Sequence, residues 1–125
     1  MSSVSKLAVV KTDVRSAIYK YLEITIPFHK LIHSEMKAVA TILYMYYLSE
    51  EKDEIDRWAE VFTYDNRVKI REKLGDMSVA SFNNILSNLR RKGVIKNNRV
   101  NPVYNPSIKK DTKSFEVTIK FKFDE

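Results

Sequence analysis

The side chains best suited to molecular recognition lie along one predicted helix, residues 78–92. Phe82, Leu86 and Leu89 recur at helical spacing and define an apolar face. The opposite face and its flanks carry small, hydroxyl and amide side chains: Ala80, Ser81, Asn83, Asn84, Ser87 and Asn88. Asn weakens a helix, but its amide can pair with two atoms of an adenine edge in the major groove, where Ala and Ser permit close approach. This face therefore predicts base readout in double-stranded DNA; a merely solvated polar surface is the alternative.

Positive charge is concentrated towards the C-terminal end of this 125-residue chain. Residues 1–89 hold 12 basic and 12 acidic side chains, whereas residues 90–125 hold 10 and 4, so the whole net charge of +6 lies in the second part. A basic segment on a neutral body is the expected footprint of a polyanion-binding edge; a tail that only aids solubility is the alternative. The cations expected to contact phosphate or the adjacent minor groove are Arg67, Lys69, Arg90, Arg91, Lys96, Arg99, Lys109, Lys110 and Lys113.

Negative charge is concentrated in an acidic loop, residues 50–56, where five of the seven residues are acidic. Such a run is typical of a solvated loop leading into a helix, because carboxylates favour the positive end of the helix dipole. Like charge would oppose binding to nucleic acid. We therefore expect the acidic loop to face away from bound DNA.

Local signals predict the elements that would position these side chains. Ser78 is a good N-cap, and Gly93 follows the helix where a left-handed backbone is required. Asn97 and Asn98 suit a tight turn between two strands, because Asn tolerates positive φ. Alternating apolar residues predict a last strand over residues 115–123 and an N-terminal strand over residues 22–28. Helical spacing predicts further helices between residues 34 and 74, and Asp13 could cap a short helix that ends at Tyr19.

The order Ser-x-x-Ser-Phe-x-x-x-Leu-x-x-Leu-x-x-Lys-Gly-Val-Ile, residues 78–95, resembles the recognition helix and first wing strand of winged helix-turn-helix proteins. This broad group includes MarR-like regulators and the replication initiators of plasmids and phages, and the resemblance covers about residues 65–123. It implies an α+β fold over residues 22–125, with three to four helices, a C-terminal β-hairpin wing and an N-terminal strand. Residues 1–21 would form an N-terminal extension, which in comparable proteins often mediates dimerisation. The turn at residues 74–78 departs from the commonest form by one extra residue.

Other chemistry finds little support in the sequence. The absence of cysteine excludes a disulfide or a thiolate metal site, and the chain has no glycine-rich phosphate loop, nucleophile elbow or His-x-Glu deaminase motif. His29 and His33 could share a metal only if further ligands joined them. We therefore expect no enzymatic activity, no metal and no cofactor. No apolar run approaches a membrane span and no signal segment opens the chain, which predicts a soluble cytoplasmic protein without a membrane partner.

Two functional hypotheses follow from these observations. The first is sequence-selective binding of double-stranded DNA by a transcriptional regulator or a replication-origin binder of phage or plasmid type. Under this hypothesis the chain would pair with a second copy of itself through the N-terminal extension. It would also bind a protein of replication or transcription. The second hypothesis is a winged-helix protein–protein interaction module in a phage or replication assembly, which the extension and the Tyr44, Tyr46 and Tyr47 cluster favour. Duplex binding that weakens steeply with salt would separate the two.

Overall fold

A computed structural model of the chain describes residues 4, 6–50 and 52–124. Among these residues the fold is α+β, as predicted, with five α-helices where three to four were expected, followed by one short antiparallel hairpin. No helix in the described part of the chain is both long and apolar enough to cross a bilayer. The elements are α1 (Val14–Ile24), α2 (His33–Leu48), α3 (Glu54–Val61), α4 (Tyr64–Lys73), α5 (Val79–Arg91), β1 (Ile95–Lys96) and β2 (Arg99–Val100), with 3₁₀ turns at Ile26–Phe28 and Pro102–Tyr104.

Helix α2 forms the centre of the core. Its residues 38–43, five of them apolar, are each at most 2% exposed, so this part of the helix is enclosed on all sides. An all-round apolar helix is expected at the middle of a domain rather than on its surface. The other four helices all pack against it, and α5 also packs on β1.

The N-terminal region corrects one prediction, because residues 22–28 form no strand. They hold the end of α1 and a 3₁₀ turn, while Ala17, Ile18 and Leu22 of α1 are buried against α2. The alternating residues that suggested a strand do not share a buried face, since Leu22 is buried but Ile24 and Ile26 are about 40% exposed and Phe28 is 77% exposed. Asp13 does cap the helix, as predicted, by accepting a hydrogen bond from Ser16 N–H (2.9 Å). The expected boundary between residues 21 and 22 falls within α1.

The C-terminal region corrects a second prediction, because residues 115–123 add no strand to the hairpin. They run without a turn or bend and pair with no other described strand. Two features turn the chain away from β2: the 3₁₀ turn that starts at Pro102, and Ser107, whose φ of 60° is left-handed. Pro102 and Pro106 also lack the N–H groups that would extend the hairpin ladder. The hairpin is therefore limited to two residues in each strand.

Candidate nucleic-acid interface

The turn between α4 and α5 is fixed by its backbone and by one arginine. Gly75 (φ 78°) and Asp76 (φ 58°) are consecutive left-handed residues, and they accommodate the extra residue of this turn. Met77 N–H donates to Arg71 O (3.0 Å), and Arg71 Nη1 donates back to Met77 O (3.2 Å). These reciprocal bonds tie the start of α5 to the last turn of α4.

Helix α5 has the orientation that its sequence predicts. Ser78 caps it by accepting a hydrogen bond from Ser81 N–H (3.1 Å), and Phe82, Leu86 and Leu89 are at most 2% exposed. Ser78 and Ser81 also share a hydroxyl–hydroxyl bond (3.0 Å), and Arg91 donates to Asn88 Oδ1. Of the six predicted readout residues, Asn88 is half-buried and the other five are exposed: Ala80, Ser81, Asn83, Asn84 and Ser87.

The hairpin follows α5 directly and projects its cations outward. Gly93 (φ 76°) is left-handed, and Val94 N–H donates to Leu89 O (2.9 Å), which completes a Schellman ending. In the hairpin, Ile95 pairs with Val100 and both are buried, so the adjacent pair, Lys96 and Arg99, occupies the exposed face.

The tight turn of the hairpin is confirmed. Asn97 and Asn98 have φ values of 54° and 52°, as a type I′ turn requires at both central positions. Because this turn is so short, Lys96 and Arg99 are held a few residues beyond the C-terminal end of α5.

A partly buried ion pair that the sequence did not reveal anchors the end of α5. Glu35 in α2 is 1% exposed, and its Oε1 accepts hydrogen bonds from Lys92 Nζ (2.6 Å) and from Ile32 N–H (3.0 Å). Lys92 Nζ also donates to Lys30 O (3.2 Å). The ammonium group of Lys92 therefore interacts within the protein itself. The two partners are 57 positions apart, and neither residue lies in a motif that would have linked them.

The remaining predicted phosphate contacts differ in their burial and surroundings. Arg67 is half-buried, and its Nε has no hydrogen-bond partner among the described residues. Lys109 lines a groove of about 710 Å³ together with Lys96, Arg99 and Arg57. The other candidates are exposed: Lys69, Arg90, Arg91, Lys110 and Lys113.

The acidic loop contacts the basic C-terminal part of the chain. Glu50 Oε2 accepts a hydrogen bond from Lys110 N–H (2.9 Å), and Glu54 lines the same groove as Lys109. These carboxylates lower the positive potential at residues 109 and 110. Apart from the Glu35–Lys92 pair, no carboxylate among the described residues forms an ion pair with the cations at the end of α5 or on the hairpin, although Glu54 lines the same groove as Lys96 and Arg99.

Both histidine side chains form hydrogen bonds within the protein. His29 Nδ1 accepts a hydrogen bond from Leu31 N–H (3.2 Å), so its Nε2–H donates to Leu22 O (2.8 Å). His33 Nδ1 is bonded to the hydroxyl of Tyr19, whose ring it meets edge-on. No group of three potential metal-ligating side chains occurs within residues 4, 6–50 and 52–124.

Comparison with family models, curated proteins and solved structures finds no match. The candidate site therefore rests on its geometry and charge alone.

Proposed function

We propose that the protein binds double-stranded DNA sequence-selectively, with α4, the turn and α5 acting as a helix-turn-helix and the hairpin as a short wing. In this arrangement α5 enters the major groove. Its 13 residues span roughly 20 Å, enough to cross that groove and reach base edges along one side. Transcriptional control and replication-origin recognition both require this activity.

The observation that carries the proposal is the composition of the exposed side of α5. Asn83, Asn84 and Ser87 offer hydrogen-bonding groups that bases can pair with, and Ala80 leaves room for close approach. No acidic residue occurs from residue 77 to residue 110, so nothing on α5 or the hairpin repels phosphate.

Backbone contacts would come from the two ends of this surface. Lys96 and Arg99 follow the C-terminal end of α5 and would contact the flanking phosphates. These contacts would position the helix rather than read sequence. At the start of α4, Tyr64 is 78% exposed and its hydroxyl could donate to phosphate, beside Arg67. The sequence did not predict that Tyr64 is exposed, because its exposure depends on the turn between α3 and α4.

Salt-dependent binding to duplex DNA tests the proposal. The wild-type protein should bind a random duplex with an affinity that falls steeply with salt, because each neutralised phosphate contributes about 0.9 to the logarithmic slope. Replacing both Lys96 and Arg99 with Gln should lower that slope by about 2. Lys52→Gln is the control, since it removes an exposed cation from the acidic loop and should leave the slope unchanged.

A protein-binding role for the same surface is the second candidate. It is favoured by Val79, an apolar side chain that stays 56% exposed at the start of α5, one turn before Asn83. This role predicts no measurable duplex binding at physiological salt. That outcome would reject the DNA proposal.

A further inference from the structure

We infer that residues 115–123, the C-terminal segment, join two copies of this chain by pairing antiparallel with the same segment of a second copy. This inference concerns assembly and does not depend on DNA binding. It places the strand pairing in the C-terminal segment, with apolar side chains of the N-terminal extension beside it.

The C-terminal segment has the sequence of a strand but lacks a strand partner. Five apolar residues alternate with polar ones, and none of residues 115–123 makes a hydrogen bond or ion pair with another described residue. An unpaired segment of this kind exposes a row of backbone donors and acceptors to another chain. The alternating apolar residues are Phe115, Val117, Ile119, Phe121 and Phe123.

Exposure along the segment changes at its midpoint. Phe115, Val117 and Ile119 are 36–40% exposed and line a cavity of about 1190 Å³ beside α1, whereas Phe121 and Phe123 are 79% and 89% exposed. The inner half thus lies against the chain's own body and the outer half is uncovered. Antiparallel pairing with a second copy would place each uncovered half beside the partly covered half of the other chain.

The polar residues of the segment are complementary to themselves in one register. When Ile119 lies opposite Ile119 of the second copy, Glu116 falls opposite Lys122, and Thr118 opposite Lys120. On the apolar face the same register opposes Phe115 to Phe123 and Val117 to Phe121, which are favourable cross-strand pairs. Two-fold symmetry repeats each pair, so the dimer would contain two Glu116–Lys122 pairs.

The open apolar area is sufficient for a stable pair. Leu7 and Val10, which line the same cavity, are 83% and 73% exposed. Taking about 150–220 Å² as the full area of a large apolar side chain, these two and the five of the segment leave on the order of 800 Å² open. One partner in a standard-sized interface contributes about this much.

The mass of the protein in solution, measured over a range of concentrations by sedimentation, provides the first test. We expect a species of twice the 14.7 kDa chain mass. Glu116→Lys and Lys122→Glu should each raise the dimer dissociation constant about tenfold, because each puts two like-charged pairs in the interface. Combining the two changes should restore most of the affinity. Lys120→Glu is the matched control, since it makes the same charge change opposite a threonine.

A cross-linking test avoids dependence on the stability of those variants. The chain has no cysteine, so Ile119→Cys introduces a single thiol at the two-fold axis, within disulfide reach of its own copy. Oxidation should link Ile119→Cys chains but not Phe123→Cys chains, whose thiols would lie far apart. A protein that stays monomeric, or a dimer insensitive to the charge changes with equal cross-linking at both positions, would overturn the inference.

Discussion

Breaking the partly buried ion pair should loosen the attachment of α5 to the core. Lys92→Met would leave the carboxylate of Glu35, which is 1% exposed, with one backbone N–H as its hydrogen-bonding partner among the described residues. Removing one member of a buried pair costs about 3–5 kcal/mol, and the 33% exposure of the Lys92 side chain reduces this to about 2–3 kcal/mol. The reduction follows because water can partly reach the remaining charge.

Urea denaturation of a double-mutant cycle measures this cost. Adding Glu35→Gln to Lys92→Met removes the buried charge while the amide oxygen can still accept from Ile32 N–H. Stability should therefore return to within about 1 kcal/mol of wild type. Arg91→Met, one position earlier on the exposed face, is the matched control and should change stability by less than about 0.5 kcal/mol. If Lys92→Met proves as stable as the Arg91 variant, the pair does not anchor α5.

Three further predictions concern the fold and are all measured by chemical denaturation. Phe82→Ala should cost about 3–5 kcal/mol through a core cavity, whereas exposed Val79→Ala should cost little, and equal effects would show that the helix faces are misassigned. The bond from Ser16 N–H lowers the pKa of Asp13 from its usual 3.8, so its stabilisation is present above that pH and is lost as the pH falls below it. Asp13→Asn keeps the cap and should flatten this acid-side loss, and an unchanged pH profile would contradict that role. Asn98→Val should cost about 1–2 kcal/mol at a φ of 52°, with Asn98→Gly neutral or stabilising.

The parts of the fold that sequence predicted correctly are those governed by neighbouring residues. Ser78 caps α5, and Gly93 ends it within a single turn of chain. The two asparagines of the hairpin supply the positive φ values that their turn requires. In each case the stabilising contacts join residues at most five positions apart, so the local sequence contains the whole cause.

The wrong predictions depended on which partner a segment finds in space. Residues 22–28 and 115–123 both alternate apolar and polar residues, but alternation does not specify a neighbouring strand. At residues 22–28, Leu22 is buried against α2 as part of helix α1. At residues 115–123, the turns after β2 carried the chain away from the hairpin.

The candidate site was predictable to a similar degree. The exposed side of α5 follows from its periodicity, so the residues proposed for readout could be predicted to be exposed before the structure. The Glu35–Lys92 pair and the contact between Glu50 and Lys110 each join residues about 60 positions apart. Long-range contacts of this kind decide which cations lie beside carboxylates of the same chain, and local patterns contain no information about them.

Selection from a random pool of duplex DNA, with the wild-type protein and with Asn84→Ala in parallel, tests the central claim most directly. The wild type should enrich a defined sequence, and Asn84→Ala should relax the preference at one base position by roughly 1–3 kcal/mol of discrimination while overall binding persists. If the wild type enriches no sequence, or if Asn84→Ala recovers the same sequence with undiminished preference at every position, then the exposed side of α5 does not read DNA.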